Sequence, residues 1–476
     1  MNSLEVATKQ ARHSSDELID RLRDKLGTLA VITQDFDKQP YEAGARHARG
    51  VAKAVVRPST QDEMAWVIKE LLSAGEHFVA QGAATGLVAG ATPTPDGTQW
   101  ILSTQRLRDI LEIDEVNRSA TVAAGYRLSD LNKAAAEHGL TFPIDLGSDP
   151  SIGGMVATNT GGARLIRYGG VRENLLDVEG ILVAPAGRHV GGARGLRKNN
   201  TGLSWQQLFC GTFGAFGIVS RATVKLHPLQ KQTATALLAV ESAAVAMQLL
   251  CRLESDLGEF VSAFEGISGA ALDAVAGHAA GSRLFSITPE YAVLVELSSA
   301  VGHEQGLDLE ALLVSALEQQ MEYGLIADAI VGKPDQIWRV RHSLSEAVQG
   351  LGKMVAFDLA VKRSRFALFR SRCLEVVKAR IPDAVVCDFG HLGDGGVHLN
   401  MVVPNDHDVE RIQMLRDDIY DLTVLEFEGS FSAEHGVGPS NSKWYQRYLD
   451  SATKDWAHLL HGHFDPAARL GNIRLD

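Results

Sequence analysis

The first half of the chain alternates short apolar runs with amphipathic segments. Val55 and Val56 form a run that predicts a strand, and residues 78–80 predict a second one. Between them, apolar residues recur at i, i+3, i+4, i+7 and i+8, which predicts a helix. These positions are Met64, Val67, Ile68, Leu71 and Leu72. Thr60 and Glu63 have the spacing of a capping box, and Gly75 is expected to end the helix.

The second half shows a different arrangement from about residue 231 onward. Predicted strands lie at residues 234–240, 261–264, 292–297 and 385–389, and predicted helices at residues 243–253 and 304–320. No glycine-rich loops interrupt them, which is typical of a separate α+β domain. Because 476 residues exceed the size of one hydrophobic core, two or three domains are expected.

The N-terminal residues predict a leading helix. Leu18, Leu22 and Leu26 recur at helical spacing, and Gly27 is expected to end the run. Two interpretations stay open for this helix, an arm that caps the fold or joins subunits and a simple surface helix.

Three segments of small residues interrupt the first half, at residues 81–87, 151–162 and 211–219. A loop of tiny residues after a strand can bring backbone N–H groups up to a pyrophosphate. A backbone without bulky side chains can also lie against a large planar ligand. Any one of these segments alone is read equally well as a tight turn. Together they indicate one large phosphate-bearing ligand.

Composition and charge exclude several classes of protein. The chain has 45% hydrophobic and 22% charged residues, so a globular fold is expected. A net charge of -12 disfavours nucleic acid as the main partner. Four scattered cysteines fit a reducing compartment. Neither a secretory leader nor an apolar run of ~18 residues is apparent. We therefore expect a cytoplasmic protein, with peripheral contact to the inner membrane left open.

Candidate chemistry is concentrated in residues 391–400 and 429–438. The first segment contains His391 and His398 around a glycine-rich turn, and the second contains Glu434 next to His435. Two histidines and one glutamate suit a zinc-like ion and leave a coordination position for substrate. The remaining histidine is a candidate base. The alternatives are packed or capping histidines and a zinc hydrolase, which would leave the three glycine-rich segments without a purpose.

These segments resemble the PCMH-type FAD-binding domain of vanillyl-alcohol-oxidase flavoproteins. The resemblance is closest to the D-2-hydroxyacid dehydrogenases, which act on D-lactate, D-2-hydroxyglutarate or glycolate. Residues 82–86 resemble the family motif G-G-x-T-G, residues 152–162 match I-G-G-x-x-A-T-N-x-G-G, and residues 167–169 match R-Y-G. Residues 198–209 match K-x-N-T-G-x-x-x-x-Q-L-F.

One family segment is altered. In G-S-E-G-T-L-G-I, Phe213 stands where Glu is common and Phe216 where Leu is common. This departure concerns the surroundings of the isoalloxazine ring rather than flavin binding itself.

The resemblance implies an α+β fold with a two-part FAD-binding domain and an α+β substrate, or cap, domain. The implied units are an N-terminal arm at 1–45, the FAD-binding domain at 46–230, the substrate domain at 231–425 and a segment returning to the FAD domain at 426–476. FAD is expected to be non-covalent, because the flavin loop has no histidine for attachment. The implied cofactor-binding residues are Pro58, Gln81, Gly82, Ala83, Ala84, Thr85, Gly86, Leu87, Ser151, Gly153, Gly154, Thr158, Asn159, Gly161, Gly162, Tyr168, Gly217 and Ile218.

The substrate site is implied by two further motifs. Residues 338–347 resemble W-R-x-R-x-x-x-x-E-A, in which Arg341 would grip a substrate carboxylate. Its alternative interpretation is a salt bridge on the helix surface. Ser345 and Asn400 are implied as further substrate contacts.

Residues 391–400 match H-x-G-D-G-x-x-H-x-N, with Gly396 in place of the usual Asn. The resemblance makes His391, His398 and Glu434 the ligands of zinc or a similar divalent metal, and His435 the catalytic base.

One position bears on the substrate. The 2-hydroxyglutarate branch usually has a lysine two residues before the aspartate of the next strand, and here Ala356 precedes Asp358. The cation that would bind a second carboxylate is therefore missing, or Lys353 or Lys362 supplies it instead. A strong preference for D-2-hydroxyglutarate is not expected.

The implied reaction is oxidation of a D-2-hydroxyacid to a 2-keto acid by hydride transfer to flavin N5. No Rossmann fingerprint is apparent, so an acceptor other than NAD is expected, such as a quinone, an electron-transfer flavoprotein or a cytochrome. Oxygen is likewise not the expected acceptor. A non-catalytic flavin-binding subunit of a larger redox complex is the alternative, and a homodimer is one open oligomeric state.

Overall fold

The computed structural model of this chain describes residues 3–45, 48–192, 194–277, 284–404 and 409–476, with side chains described from residue 15. It is a mixed α+β fold, as the sequence predicts. The strands are β1 Val31–Ile32, β2 Ala52–Val56, β3 His77–Gln81, β4 Gln99–Ser103, β5 Leu111–Asp114, β6 Ser119–Ala123, β7 Leu140–Thr141, β8 Leu175–Leu182, β9 Arg188–Gly191, β10 Ile218–Lys225, β11 His227–Pro228, β12 Gln232–Val240, β13 Val261–Ser268, β14 Tyr291–Ser299, β15 Asp328–Gly332, β16 Lys353–Ala360, β17 Val385–Val386, β18 Phe389–Gly390 and β19 Gly396–Val403.

The α-helices connect and cover these strands. They are α1 Ser3–Leu26, α2 Asp35–Glu42, α3 Gln61–Ser73, α4 Leu128–Ala136, α5 Ile152–Thr158, α6 Leu165–Tyr168, α7 Val171–Asn174, α8 Ala243–Leu257, α9 Gly269–Gly277, α10 Leu309–Glu322, α11 Pro334–Gly350, α12 Phe366–Arg380, α13 Val409–Asp421, α14 Ser442–Tyr448 and α15 Ser451–Phe464. Among the described residues, no helix combines the length and the apolar character that a bilayer crossing requires.

The helix predicted after the first strand is confirmed as α3. Thr60 caps it by accepting the backbone N–H of Glu63. The reciprocal bond is displaced by one residue, because the Glu63 carboxylate accepts the N–H of Ser59 at 2.7 Å. Gly75 ends the helical region with a φ of 71°. The predicted apolar face is almost entirely buried, which holds α3 against the first sheet.

Two larger sheets build most of the first half, and β7 pairs with β11 as a separate two-stranded sheet. A four-stranded sheet has the order β1-β2-β4-β3, in which β2, β4 and β3 run parallel. An antiparallel five-stranded sheet has the order β5-β6-β10-β8-β9. The segment at residues 81–87 begins where β3 ends, and β10 begins directly after Gly217. Two of the three predicted ligand segments therefore lie at strand ends, whereas the one at 151–162 contains α5.

One large antiparallel sheet builds the second half. Its order is β15-β12-β14-β13-β18-β19-β16, with β17 also paired to β19. Helices α8, α10, α12 and α13 pack on one face, and α9 and α11 pack on the other. Because both faces are covered, the strands read as nearly continuous apolar runs, and charged residues within them are exceptional.

Two predicted elements differ from the structure. The helix predicted at 304–320 begins at Leu309, because Gly306 adopts a left-handed φ of 83° and Asp308 caps the helix through Ala311 N–H. The strand predicted at 385–389 is divided into β17 and β18. Between them, the Asp388 side chain points inward and forms a buried ion pair with Arg370 at 2.7 Å. The chain changes its pairing here, because β17 pairs with β19 and β18 also pairs with β13.

The C-terminal residues return to the first sheet. Leu470 forms a parallel bridge with Phe78, and Asn472 Oδ1 accepts a hydrogen bond from Gln99 at 2.5 Å. Asn472 also donates to the Thr92 carbonyl at 2.8 Å. The C-terminal residues thereby hold the beginnings of β3 and β4.

A buried ion pair joins the segment after residue 162 to the large sheet. Arg164 contacts Glu296 of β14 at 2.7 and 3.0 Å, and it also pairs with Asp145 at 2.9 Å. Glu296 accepts further hydrogen bonds from Ser262 and Trp338, each at 2.7 Å. Burial alone would raise the pKa of Glu296, but these partners lower it. The carboxylate is therefore kept charged, as a buried pair requires.

Candidate active site

A glycine-containing turn brings the first two candidate histidines together. His391 follows β18, and the turn closed by Gly395 leads the chain back into β19, where His398 lies. Gly395 has a φ of 90°, and a Cβ there would lie 2.2 Å from the Val361 carbonyl oxygen. A larger residue would be both strained and blocked. The turn places the two imidazole rings 5.4 Å apart.

Glu434 lies at the centre of the cluster. Its Oε2 is 3.5 Å from His391 Nε2, and its Oε1 is 3.3 Å from His398 Nε2 and 3.7 Å from His435 Nε2. The rings of His398 and His435 are stacked, with centroids 5.7 Å apart. The loop at 429–438 therefore turns the adjacent side chains of Glu434 and His435 toward one space, which an extended strand would not do.

The donor spacing in this cluster fits a divalent ion. Donors around a tetrahedral ion with bonds of ~2.0–2.1 Å are about 3.3 Å apart, and the Glu434 contacts with His398 and His391 are 3.3 and 3.5 Å. Among the described residues, the set whose ligand atoms all lie within 4.8 Å of one another is Asp358, His398, Glu434 and His435, and it does not include the predicted ligand His391. The buried Oδ1 of Asp358 has no hydrogen-bond partner among the described residues. A buried oxygen of this kind suits a site that holds a cation.

Asp358 organises the loop that carries Glu434 and His435. Its Oδ2 accepts the backbone N–H groups of these two residues at 3.0 and 2.8 Å. The same oxygen lies 3.5 Å from His435 Nδ1. Asp358 is 5% exposed on β16. It therefore fixes the loop and faces one edge of the His435 ring, while the other ring nitrogen faces Glu434.

Glu265 of β13 joins His391 to Arg341. Its Oε1 lies 2.7 Å from His391 Nδ1, and its Oε2 accepts from Arg341 Nε at 2.6 Å. Burial alone would raise the pKa of Glu265, but the charges and hydrogen bonds of His391 and Arg341 hold that pKa at about 2. A carboxylate on Nδ1 orients the ring and leaves Nε2 as the ligand nitrogen.

The histidines have opposite pKa shifts. Burial lowers the pKa of His398 to about 4, although Glu434 opposes the shift. Burial also acts on His391, but Glu265 and Glu434 outweigh it and raise the pKa of His391 well above its ordinary value. The pKa of Glu434 is lowered by these histidines against the effect of burial. A proton on His391 Nε2 and an ion would compete for the same side of the ring.

The candidate substrate residues lie in three environments. Arg341 lies on α11 with its guanidinium 5.0 Å from the centroid of the Phe389 ring, and only its Nε is used by Glu265. Ser345 is one turn further along α11 and is exposed. Asn400 is buried on β19, opposite Ala356 of β16. Arg341 is thus linked to the cluster through Glu265, whereas Ser345 is open to solvent.

The predicted flavin segments touch one another. A Cβ on Gly82 would lie 2.1 Å from Ser151 Oγ, so the segments at 81–87 and 151–162 are in contact. Ser151 caps α5 by accepting the N–H of Gly154, so part of the second segment forms a short helix. The predicted residues at the remaining positions lie as follows: Pro58 is buried after β2, Gln81 ends β3, Thr158 ends α5, Asn159 has a φ of 50°, Gly162 lies against Asp145, Tyr168 contacts Ser298 and His227, and Gly217 and Ile218 lead into β10.

The loop at 429–438 packs against the segment at 211–219 and against Val88, which directly follows the segment at 81–87. A Cβ on Gly436 would lie 2.0 Å from a Phe213 ring carbon, and one on Gly438 would lie 2.4 Å from the Val88 carbonyl oxygen. Both glycines therefore permit a close approach that larger residues would block. Phe213, which replaces the common glutamate, forms part of this contact. The cluster around Glu434 and the flavin segments are neighbours in space.

Sequence reasoning did not predict the roles of Glu265 and Asp358. Both are almost fully buried acids within apolar strands of a sheet covered on both faces. Buried acids are rare unless they are paired. The signal that could have identified them is an isolated acid in a continuous apolar run, although such a signal does not identify the partner.

Two family models match this chain. A model described as FAD linked oxidases, C-terminal domain, matches residues 229–473, and an FAD binding domain model matches residues 52–190. The chain is 32% identical to a D-2-hydroxyglutarate dehydrogenase of Xanthomonas citri pv. viticola over 436 residues, which is 89% of each chain. It is also 32% identical to the mitochondrial D-2-hydroxyglutarate dehydrogenase of Bos taurus, covering 86% of this chain and 74% of the relative.

More distant similarity appears in a transhydrogenase and in solved structures. A D-2-hydroxyglutarate–pyruvate transhydrogenase of Saccharomyces cerevisiae is 26% identical, over 92% of this chain and 87% of the relative. Alkyldihydroxyacetonephosphate synthase superposes with a TM-score of 0.70 at 14% identity, over 95% of this chain and 84% of that chain. Substrate-bound p-cresol methylhydroxylase gives 0.68 at 13% identity, over 96% of both chains. These structures share the fold.

Proposed function

Because this chain belongs to the FAD-dependent D-2-hydroxyacid dehydrogenases of the vanillyl-alcohol-oxidase superfamily, we propose that it oxidises a D-2-hydroxyacid to a 2-keto acid with a bound divalent metal. The observation that carries the proposal is the cluster of His391, His398, Glu434 and His435 beside the flavin segments. The family assignment establishes the FAD-dependent oxidoreductase, and the proposal adds the metal, the acceptor and the residue roles.

Two cofactors supply chemistry that side chains lack. FAD would supply the acceptor for a hydride from C2 of the hydroxyacid. His391, His398 and Glu434 would hold a zinc-like ion, which would supply a lowered pKa of the substrate hydroxyl and stabilisation of negative charge on it. We propose that FAD is held without a covalent bond, by the segments at 81–87, 151–162 and 211–219. We also propose the division of the chain into units at 1–45, 46–230, 231–425 and 426–476.

The side chains of this protein bind the substrate and move its proton. His435 Nε2 faces the space around Glu434 and is the proposed base for the hydroxyl proton. Asp358 faces Nδ1 of the same ring, which favours the tautomer whose Nε2 is free to accept a proton. Arg341 has its Nη groups available for the substrate carboxylate, since Glu265 uses only Nε. Asn400 and Ser345 are proposed as further polar contacts.

The electrons then leave the reduced flavin. We propose an acceptor other than NAD or oxygen, namely a quinone, an electron-transfer flavoprotein or a cytochrome, since no dinucleotide fingerprint is found in the sequence. A cytoplasmic location, peripheral contact with the inner membrane and a homodimeric state belong to the same proposal.

Anaerobic mixing with a panel of D- and L-2-hydroxyacids tests the function. We expect at least one D-acid to bleach the flavin absorbance of the purified protein, while its L-enantiomer does not. Acid precipitation of a parallel sample should release the flavin into the supernatant. If no hydroxyacid reduces a fully loaded flavin, the alternative of a non-catalytic flavin-binding subunit is correct.

Ala356 bears on whether the substrate carries a second carboxylate. It precedes Asp358 by two residues on β16, so both side chains lie on the same face of the strand. Lys353 and Lys362 are both exposed, and Lys362 pairs with Glu428 at 3.1 Å. Arg416 donates to the Ala356 carbonyl but stacks on Phe357, which points to the opposite face. The position therefore favours a monocarboxylic substrate.

We expect Ala356→Lys to raise the preference for D-2-hydroxyglutarate over D-lactate. A charge-assisted hydrogen bond contributes about 1.5–3 kcal/mol, which is roughly tenfold to a hundredfold in kcat/KM. Ala356→Met is the matched control, because it adds similar length without charge. The prediction is wrong if the lysine and methionine variants show the same ratio, or if the unchanged protein already prefers the dicarboxylate by more than about a hundredfold.

A further inference from the structure

A basic cleft lies outside the proposed reaction site. It has a volume of about 380 Å³ and is bounded by the turn between β5 and β6, the end of β10 and β11. Four of its lining residues are basic, namely Arg118, Arg197, Lys225 and His227. Val116, Leu226 and Pro228 form its apolar walls. Such a concentration of positive charge is unexpected in a chain with a net charge of -12.

The cleft is remote from the flavin segment at 211–219. Strand β10 begins at Ile218, next to that segment, and ends at Lys225, on the cleft. Seven residue steps of ~3.3 Å place the two ends roughly 23 Å apart. A ligand in this cleft would not reach that segment, although His227 on the cleft contacts Tyr168, one of the implied cofactor-binding residues.

The cations of the cleft are held by backbone carbonyls rather than by acids. Arg197 donates to the carbonyls of Asn117 and Arg118, and Lys225 donates to the carbonyl of Glu173. Throughout the ranges that the structure describes, no carboxylate forms an ion pair with Arg118, Arg197 or Lys225. Among the described residues, no ion pair neutralises their charge, and Arg197 Nη1 and most donors of Lys225 remain available.

His227 lies among the positive charges of the cleft. The amide nitrogen of Asn174 donates to two backbone carbonyls, so its Oδ1 accepts from His227 Nε2 at 2.8 Å. This leaves Nδ1 for a ligand. Burial lowers the pKa of His227, and the positive charges of Lys225, Arg197, Arg167 and Arg118 lower it further. A half-buried imidazole surrounded by cations indicates a site suited to negative charge.

We propose that this cleft binds a phosphate-bearing small molecule, with Arg118, Arg197 and Lys225 on its phosphate oxygens and Val116 and Pro228 against its organic part. Arginine and lysine donors that lack acidic partners match the several acceptor oxygens of a phosphate chain. The volume lies in the range of small-molecule sites, about 300–1,000 Å³. The apolar walls favour a ligand with an organic body over a bare inorganic ion.

Calorimetric titration of the FAD-loaded protein with ADP, adenosine, inorganic pyrophosphate and citrate tests the proposal. The titrations are made at about 0.1 M ionic strength, where charges beyond ~10 Å are screened. We expect ADP to bind once per chain without releasing flavin, pyrophosphate to bind more weakly, and adenosine not to bind. Citrate that binds as tightly as ADP would overturn the assignment to phosphate.

Two variants locate the binding. Arg118→Asn removes a charge at a position with a φ of 46°, which asparagine tolerates, and Lys225→Gln removes one from the end of β10. Each should weaken ADP binding by about tenfold or more. Lys378→Gln removes an exposed charge from α12, in the second half of the chain, and should change affinity by less than about twofold. Equal affinities in all three variants, absence of ADP binding, or binding that displaces the flavin would each refute the site.

Discussion

Replacing His435 by alanine is expected to slow reduction of the flavin by a D-2-hydroxyacid about 10²–10⁴-fold, the usual contribution of a positioned base. The substrate dissociation constant should change far less, because the carboxylate would keep its proposed contacts with Arg341 and the metal. The physical reason is the position of His435 Nε2, which faces the space around Glu434 while Asp358 holds the other edge of the ring. Rapid mixing under anaerobic conditions measures the rate and the dissociation constant separately.

His342→Ala is the matched control for this prediction. That histidine is exposed on α11, where its ring stacks on Trp338, and it has no place in the proposed mechanism. The control should reduce its flavin at the rate of the unchanged protein. A His435→Ala variant within about threefold of that rate, far inside the range for a general base, would remove His435 from the mechanism.

Removing the metal is the second change with a large expected effect. We expect a chelator, or the substitution His398→Ala, to lower turnover by roughly a thousandfold, since a Lewis acid contributes several kcal/mol, here about 4 kcal/mol, to charge stabilisation. The flavin should remain bound, because the proposed metal ligands lie outside the flavin segments. Elemental analysis, flavin absorbance and turnover are measured on the same samples.

His458→Ala provides the control for the metal experiment. Its side chain is 82% exposed on α15, outside the cluster. This variant should keep its metal content and its activity, and zinc added back to the chelated protein should restore turnover. Full turnover in a metal-free His398→Ala protein would show that the ion has no part in the reaction.

The features that could be predicted from the sequence are local ones. Amphipathic periodicity predicted α3. The motif at residues 391–400 predicted that His391 and His398 lie close together, because the turn between them is formed within eight residues. The predicted start of α10 was wrong. The helical pattern in the sequence continues through Gly306, but the left-handed conformation of Gly306 interrupts the helix there. The local sequence pattern does not reveal whether a glycine will adopt a left-handed conformation or continue the helix.

The residues that support the candidate site could not be predicted, because their contacts are distant in sequence. Glu265 and His391 are 126 residues apart, and Asp358 accepts from Glu434 across 76 residues. Strand order brings these residues together, with β13 and β19 both adjacent to β18. Neither acid has a local motif around it, so only the folded sheet shows what it contacts.

The return of the C-terminal residues to the first sheet has a consequence for synthesis on the ribosome. Gln99 and its partner Asn472 are separated by 373 residues. At ~5–20 residues per second, the early strand waits roughly 20–75 s for that partner. During this time the edge of β3 that Leu470 later covers is open to other chains. A lower growth temperature, added chaperones and a C-terminus without a fused tag should therefore affect the yield of this protein more than the stability of the folded state does.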